Sequence, residues 1–252
     1  MARILLYDLE TTPLLGYSWG LWEQNILEVV EYPYILCIAY KWLGDKDTKV
    51  KSLWDFPNYK KNKKNDRALV KVLHSLLDEA DIVVGQNSNQ FDNKWANKQF
   101  LKHGLKPVSP YQAVDTKLIA RKHFRFESNS LDYMAKFLGI GSKVKHEGKD
   151  LWFAVMNGDP AACKRMVKYA RNDVVLTEAL YNKVKPFMDN HPNMNMYSES
   201  ERPICPACKS TRLQKRGYQI KGRWSKAARY QCQSCGKWSQ GRTTTNKEIQ
   251  IS

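Results

Sequence analysis

Apolar runs and helical periodicities alternate along the first 185 residues. Short apolar runs bounded by turn residues predict strands at Ile4–Leu9, Ile35–Leu43, Thr48–Trp54 and Ile82–Val84. Apolar residues at helical spacing predict helices over 69–77, near 91–103, 115–123 and 130–138, and from Asp159–Pro160 onward. Three early strands followed by mixed helices and strands indicate an α/β domain over residues 1–185.

The pattern changes after residue 185. Residues 186–203 contain turn-forming residues without apolar periodicity, so we interpret this stretch as a linker. Residues 204–252 hold four of the six cysteines and form a second, smaller domain in this interpretation.

Two carboxylates lie at the end of the first predicted strand. Side chains alternate along a strand, so Asp8 and Glu10 point to the same face, next to apolar neighbours. Like charges beside a core repel each other and are poorly hydrated, and a hard divalent cation would neutralise them. The alternative is that the strand frays at Asp8 and both groups are solvated.

Two further acidic segments lie at the ends of predicted elements. Asp92 closes the segment 85–92, between a buried strand and a helix, where it could act in a site or complement the helix dipole. Tyr169 and Asp173 are four residues apart on the last helix and share a face beside its buried stripe. A tyrosine packed near an exposed aspartate would give the same pattern.

In combination these residues resemble the DnaQ-like 3′–5′ exonuclease family. The family's motifs match Asp8-x-Glu10, Asn87-x-x-x-Phe91-Asp92 and Tyr169-x-x-x-Asp173. The match is to the tyrosine subclass, DEDDy, and is similar to the proofreading domains of B-family DNA polymerases. The histidine subclass would place histidine at position 168, which is lysine here.

The resemblance implies an RNase H-like mixed sheet flanked by helices and two Mg²⁺ or Mn²⁺ ions. Asp8 would bridge both ions, Glu10 and Asp173 would complete the first, and Asp92 would hold the second. Oxygen ligands favour these ions over zinc. Tyr169 would orient the attacking water. The substrate contacts expected in this domain are Leu9, Thr11, Thr12, Asn87 and Phe91.

Three other segments carry groups that could serve the site. Asp115 is interpreted as a helix N-cap, with an acidic site residue as the alternative. The basic and aromatic stretch Arg121–Phe126 could guide a single strand or end an amphipathic helix. The run Lys60–Asn65 is typical of a solvated loop, with phosphate contact as the alternative.

The cysteines at 205, 208, 232 and 235 form two CxxC pairs separated by 23 residues. Two such turns close a tetrahedral Zn²⁺ site, and four cysteine ligands indicate a structural zinc rather than a disulfide or redox pair. The segment resembles the zinc ribbons of transposases and transcription factors. Cys37 and Cys163 lie in apolar contexts and are expected to be buried and to take no part in function.

Charge favours a polyanionic partner. The chain has 252 residues and a formal charge of +16, and residues 199–252 carry 12 basic and 3 acidic residues. Basic residues interleave with aromatics in the ribbon, which suits nucleic acid, while protein docking is the alternative. The contacts expected there are Arg216, Tyr218, Arg223, Trp224 and Arg229.

These residues and this charge support one functional hypothesis and two alternatives. We expect a metal-dependent 3′–5′ exonuclease, with DNA favoured, acting on a single-stranded or recessed 3′ end. The alternatives are a structure-selective nuclease or ribonuclease using the same site, and a non-catalytic nucleic-acid-binding adaptor. No apolar run reaches the roughly 20 residues of a membrane span, and the N-terminal run is too short for a signal peptide, so a cytoplasmic location is expected.

Overall fold

A computed structural model describes residues 2–22, 25–199, 202–222 and 225–245. The chain divides between Tyr181 and Asn182 into two compact units. In the part of the chain that the structure describes, no helix is both long and apolar enough to cross a bilayer.

The first unit alternates strands and helices. Its strands are β1 (Ile4–Thr11), β2 (Leu15–Tyr17), β3 (Glu28–Glu31), β4 (Ile35–Trp42), β5 (Lys49–Ser52), β6 (Ile82–Gly85) and β7 (Gln112–Asp115). Its helices are α1 (Arg67–Asp78), α2 (Asp92–Lys102), α3 (Thr116–His123), α4 (Leu131–Phe137) and α5 (Lys149–Asn157), followed by α6 (Pro160–Val184), which continues past the unit boundary. Short 3₁₀ helices occupy Leu53–Asp55 and Pro57–Lys60.

Five strands form a mixed sheet in the order β5-β4-β1-β6-β7. The central strand β1 pairs antiparallel with β4 and parallel with β6. Strand β5 is antiparallel to β4, and β7 is parallel to β6. Strand β1 is central because it is apolar on both faces, and Leu5, Leu6 and Tyr7 are almost fully buried. The mixed sheet and its flanking helices confirm the predicted α/β class.

The predicted strands and helices are confirmed in this unit, and four elements were not foreseen: β2, β3, β7 and α5. The short pair β2–β3 and the strand β7 carry little apolar alternation, and in β7 only Val114 and Asp115 are buried. Helix α5 begins after Gly148 at φ +63°, without the side-chain cap that marks a helix start in sequence. The predicted strand 48–54 ends at Ser52, where the Asp55 carboxylate accepts a hydrogen bond from the Ser52 N–H.

The second unit contains a three-stranded antiparallel sheet. Strands β8 (Leu213–Lys221), β9 (Ser225–Cys232) and β10 (Trp238–Thr245) lie in the order β10-β9-β8. The described part of 186–203, interpreted above as a linker, belongs to this unit. Met188 and Met194 are buried there, and the Met194 N–H donates to the Pro206 carbonyl. Two 3₁₀ helices, Lys185–Phe187 and Met194–Tyr197, precede the sheet.

Candidate active site and cysteine cluster

Strand β1 carries Asp8 and Glu10 at its C-terminal end. Asp8 lies opposite Ala39 of β4 and Glu10 opposite Cys37, and the register shifts between Glu10 and Thr11. Glu10 is 7% exposed and Asp8 is half-buried. The strand therefore holds both carboxylates at the edge of the core.

Helix α6 brings Asp173 to the same place. Met166, Ala170 and Val174 are fully buried at four-residue spacing and fix the helix against the core. Oxygen atoms of Asp8, Glu10 and Asp173 all lie within 4.8 Å of one another. Opposite ligands of a single Mg²⁺ are about 4.2 Å apart, so the three carboxylates lie close enough for one cation to bridge them after small side-chain adjustments.

Asp92 reaches the site from the start of α2. It is 2% exposed, and its Oδ1 accepts a hydrogen bond from the Leu9 N–H at 2.9 Å. Asp92 is not one of the three carboxylates grouped within 4.8 Å. Its charge nevertheless raises the pKa of Asp8, second only to burial.

Asp115 organises the loop before α2. Its carboxylate accepts from Lys117 N–H and Leu118 N–H, which confirms the predicted N-cap of α3. It also accepts from Asn87 N–H at 3.0 Å and Asn89 N–H at 3.1 Å. Asn87 has φ +63°, a left-handed conformation that asparagine tolerates. Asp115 therefore fixes the loop between β6 and α2, which contains Asn87 and leads to Asp92.

The carboxylates have raised pKa values. Burial, with the charge of Asp173, raises the pKa of Glu10 to about 8. Burial raises the pKa of Asp92 to about 7 against the hydrogen bond from Leu9. Burial also raises the pKa of Asp173, although Lys143 opposes the shift. Without a cation, this cluster resists full ionisation at neutral pH.

Lys143 is a site residue that the sequence analysis missed. Its Nζ lies 2.6 Å from Oδ2 of Asp173 and 3.0 Å from the hydroxyl oxygen of Tyr169. The loop holding it is anchored by the Lys143 N–H, which donates to Asp132, and by Asn172, which donates to the Ser142 carbonyl. No periodicity marks this loop in the sequence, so only the fold reveals the contact.

Tyr169 lies in an aromatic setting beside the carboxylates. Its ring packs edge-on against His146 at 4.8 Å and Trp152 at 5.9 Å between centroids. Burial and the charges of Asp173 and Glu10 raise the pKa of Tyr169 well above its usual value. The hydroxyl is therefore a neutral phenol at physiological pH.

The expected substrate contacts of this unit differ in their surroundings. Leu9 is buried, and the Thr12 hydroxyl accepts a hydrogen bond from the Tyr34 N–H at 3.0 Å. Thr11 and Asn87 are half-buried, whereas Phe91 is 39% exposed and packs near Trp95. Thr11, Asn87 and Phe91 thus have side-chain surface to offer a ligand.

Four cysteines of the second unit converge. The sulfur atoms of Cys205, Cys208, Cys232 and Cys235 all lie within 4.8 Å of one another. Two of the Sγ–Sγ distances are 3.7 Å and 3.6 Å. Tetrahedral zinc with Zn–S bonds of about 2.3 Å separates its sulfurs by about 3.8 Å, so the cluster has zinc-site dimensions.

The two cysteine turns have the same local geometry. The N–H of Lys209 donates to the Cys205 carbonyl, and the N–H of Gly236 donates to the Cys232 carbonyl. Lys209 and Gly236 both have positive φ, at 63° and 78°. Burial alone would raise the pKa of Cys232, but N–H groups of Cys235 and Ser234 and neighbouring thiols lower it to about 6.

Three of the five expected contacts of the second unit lie on its sheet, namely Arg216, Tyr218 and Arg229. The ammonium groups of Lys215 and Lys226 lie 4.7 Å and 4.9 Å from the Tyr218 ring centroid. Arg216 is exposed, and the Arg229 guanidinium lies 5.5 Å from the Trp238 ring centroid. Arg223 and Trp224 lie outside the described residues.

Comparison with known proteins identifies the family of the first unit. No curated protein sequence matches the chain significantly. A family model described as the RNase_H superfamily matches residues 31–185, more than half of the chain. Members of this superfamily are usually nucleases that use divalent metals, in agreement with the carboxylate site. With its mixed sheet and this match, the chain belongs to the RNase H superfamily.

Proposed function

We propose that this chain is a DnaQ-like 3′–5′ exonuclease of the DEDDy type, which hydrolyses phosphodiester bonds with two divalent metal ions. The observation that carries the proposal is the grouping of Asp8, Glu10 and Asp173 within 4.8 Å, with Tyr169 one helical turn from Asp173. DNA with a single-stranded or recessed 3′ end is the favoured substrate.

The residues present fit a divalent cation. Asp173 Oδ1 is buried without a hydrogen-bond partner, while Oδ2 contacts Lys143. A cation would give that oxygen a partner and relieve the repulsion that raises the carboxylate pKa values. Asp8, Glu10 and Asp173 would hold one ion, with Asp8 and Asp92 at the second. Two bound ions activate water and neutralise charge on the attacking and leaving oxygens.

The protein's own groups position the reaction. The Tyr169 hydroxyl, held at 3.0 Å by Lys143 Nζ, orients the attacking water as a neutral hydrogen-bonding group. Asp115 holds the Asn87 loop, and the exposed ring of Phe91 offers a stacking surface to a base. Leu9 contributes by fixing Asp92 through its backbone N–H.

The second unit is proposed to be a zinc ribbon. Cys205, Cys208, Cys232 and Cys235 would bind one structural Zn²⁺, because all four positions are filled by cysteine. Basic and aromatic side chains of its sheet, including Arg216, Tyr218 and Arg229, would contact the substrate backbone and bases. A protein partner for the ribbon is the competing role.

The test is cleavage of a panel of 5′-labelled DNA and RNA oligonucleotides with Mg²⁺ or Mn²⁺. We expect a ladder that shortens from the 3′ end, loss of the ladder in Asp8→Asn, and normal cleavage in the exposed control Asp45→Asn. Preference for RNA or for branched substrates would instead favour the ribonuclease or structure-selective alternative. Binding without cleavage by the parent protein would favour the adaptor.

A further inference from the structure

The hairpin β2–β3 exposes an unusual amount of apolar surface. We call described residues 14–22 and 25–32 the aromatic hairpin. Among the described residues, ten of the 21 exposed large hydrophobic side chains lie in it, and Trp19, Leu21 and Trp22 are 86%, 92% and 83% exposed. Such a concentration of exposed apolar side chains in one segment is typical of a binding site. Its aromatic members are Tyr17, Trp19, Trp22 and Tyr32.

The aromatic hairpin is a folded element. Tyr17 pairs with Glu28 across the two strands, and the Leu27 N–H donates to the Tyr17 carbonyl at 2.8 Å. Gly16 permits the close approach, because a Cβ there would lie 2.4 Å from Ile26 Cγ2 and 2.6 Å from the Glu28 carbonyl oxygen. The paired strands therefore hold Tyr17, and Trp19 and Trp22 lie in the segment that connects them.

The aromatic hairpin follows, in the chain, the strand β1 that carries Asp8 and Glu10. Only four residues lie between Glu10 and Leu15, so the two Cα atoms are at most roughly 18 Å apart. Its base is closed by the Thr12 N–H, which donates to the Tyr34 carbonyl at 3.0 Å. The chain then returns into β4, which pairs with β1 beside Glu10.

A lysine segment lies next to the aromatic hairpin. Lys60, Lys61, Lys63 and Lys64 are exposed, and Lys64 forms an ion pair with Glu31 of β3. Residues 13–32 themselves contain three glutamates and no lysine or arginine. The charge of Lys64 is paired with Glu31, so Lys60, Lys61 and Lys63 would attract phosphates, whereas the acidic hairpin would repel phosphates and offer its rings to uncharged base faces.

We propose that the aromatic hairpin binds unpaired nucleotides of the substrate strand by base stacking, with the phosphates toward the lysine segment. Stacking on an aromatic ring is sequence-tolerant, and removing such a ring weakens binding roughly tenfold. The proposal rests on the proposed function, because the continuity with the carboxylate site makes nucleic acid the occupant.

The test separates stacking from simple apolar contact. Full-length Asp8→Asn protein binds a fluorescent single-stranded oligothymidylate without Mg²⁺, and anisotropy gives Kd. The pair Trp19→Leu/Trp22→Leu keeps apolar surface but removes the rings, so we expect Kd to rise at least tenfold. The pair Trp19→Phe/Trp22→Phe keeps the rings and should stay within about threefold of the parent. The exposed aromatic control is Phe153→Leu in α5.

Equal Kd for the leucine pair and the parent would overturn the stacking proposal. So would a parent dimer in sedimentation that dissociates in the leucine pair while nucleotide binding is unaffected, because the rings would then serve as a contact between copies. The leucine pair should show the parent's circular dichroism spectrum, since these rings are exposed.

Failure of the hairpin proposal can be told apart from failure of the exonuclease proposal. Stacking is measured without cleavage, so ring-dependent binding by a protein that degrades nothing would leave the hairpin proposal standing alone. Conversely, the variant Trp19→Leu/Trp22→Leu that keeps Asp8 should degrade a single-stranded 3′ end at least tenfold more slowly than the parent enzyme at low substrate concentration. An unchanged rate in an active enzyme would refute only the hairpin proposal.

Discussion

The ammonium of Lys143 lies 2.6 Å from Oδ2 of Asp173 and 3.0 Å from the hydroxyl of Tyr169. One cation thus joins a proposed metal ligand to the proposed water-orienting tyrosine. Lys143 also lowers the pKa of Asp8 and Glu10, against the larger effect of burial. This single side chain therefore holds Asp173 and Tyr169 together and favours the ionised form of the carboxylates.

Replacing Lys143 by methionine should slow cleavage roughly tenfold to a hundredfold, as expected for a group that orients site residues. The variant should also move the acidic limb of the pH–rate profile to higher pH, because the carboxylates lose a charge that lowers their pKa. Lys143→Arg should recover part of the rate, and exposed Lys145→Met is the matched control. A parental pH profile in Lys143→Met would contradict this role.

Replacing Tyr169 by phenylalanine should reduce kcat roughly a hundredfold, because water orientation is lost while the carboxylates remain. The Mg²⁺ concentration that gives half-maximal activity should change little. Single-turnover cleavage at several Mg²⁺ concentrations measures both, with Tyr133→Phe in α4 as the control. A variant that cleaves at the parental rate would remove Tyr169 from the reaction.

The metal-free protein should lose stability as pH rises from about 5 to 8. Glu10 has a folded pKa of about 8 and Asp92 of about 7, both above their ordinary values. The folded state consequently binds more protons than the unfolded state in this window, and its free energy of unfolding falls as pH rises. Thermal unfolding at pH 5.5, 7 and 8.5 measures the trend.

Added Mg²⁺ should reverse that trend, because binding needs ionised carboxylates and releases protons. The stabilisation by Mg²⁺ should therefore be greatest at pH 8.5 and nearly absent at pH 5.5. Asp8→Asn should respond weakly to Mg²⁺ at each pH. The prediction is wrong if the Mg²⁺ effect on Tm does not grow with pH.

Cys205→Ser should lose the bound zinc and unfold the second unit while the first stays folded. Metal binding supplies much of the folding free energy of so small a unit, and apolar residues packed there around the cluster are few. Elemental analysis and limited proteolysis provide the measurements, with buried Cys37→Ser testing whether any thiol change has this effect. One zinc per chain remaining in Cys205→Ser would refute the ligand set.

Removing the second unit should weaken nucleic-acid binding and reduce its dependence on salt. Each lost phosphate contact on a single strand lowers the slope of log K against log salt by about 0.7. The cut belongs after residue 185, because a cut after 198 would leave the buried Met188 and Met194 without Lys237 and Pro206, which hydrogen-bond to their backbones. Equal affinity and slope in residues 1–185 and in the full chain would refute binding by the ribbon.

The local sequence was enough to predict most elements and the chemical groups. Strand β1 is apolar on both faces, and α6 has a buried stripe, so the placements of Asp8, Glu10 and Asp173 followed from periodicities of two and 3.6 residues. Asp115 was predictable as a cap because a carboxylate before a helix satisfies free N–H groups. The short elements β2, β3 and β7 were missed because a few residues carry too little alternation.

Distances between distant segments were decided by the tertiary structure alone. The sequence could pair cysteines by their spacing, but it could not show that the loop before α5 delivers Lys143 to Asp173, 30 residues away. Nor could it show that the Leu9 side chain is buried and that the Thr12 hydroxyl is hydrogen-bonded to the Tyr34 N–H. The exposure of Trp19 and Trp22 was equally invisible in the sequence. Local pattern determines which residues form an element and which face is apolar, whereas side-chain proximity and exposure depend on how the elements pack.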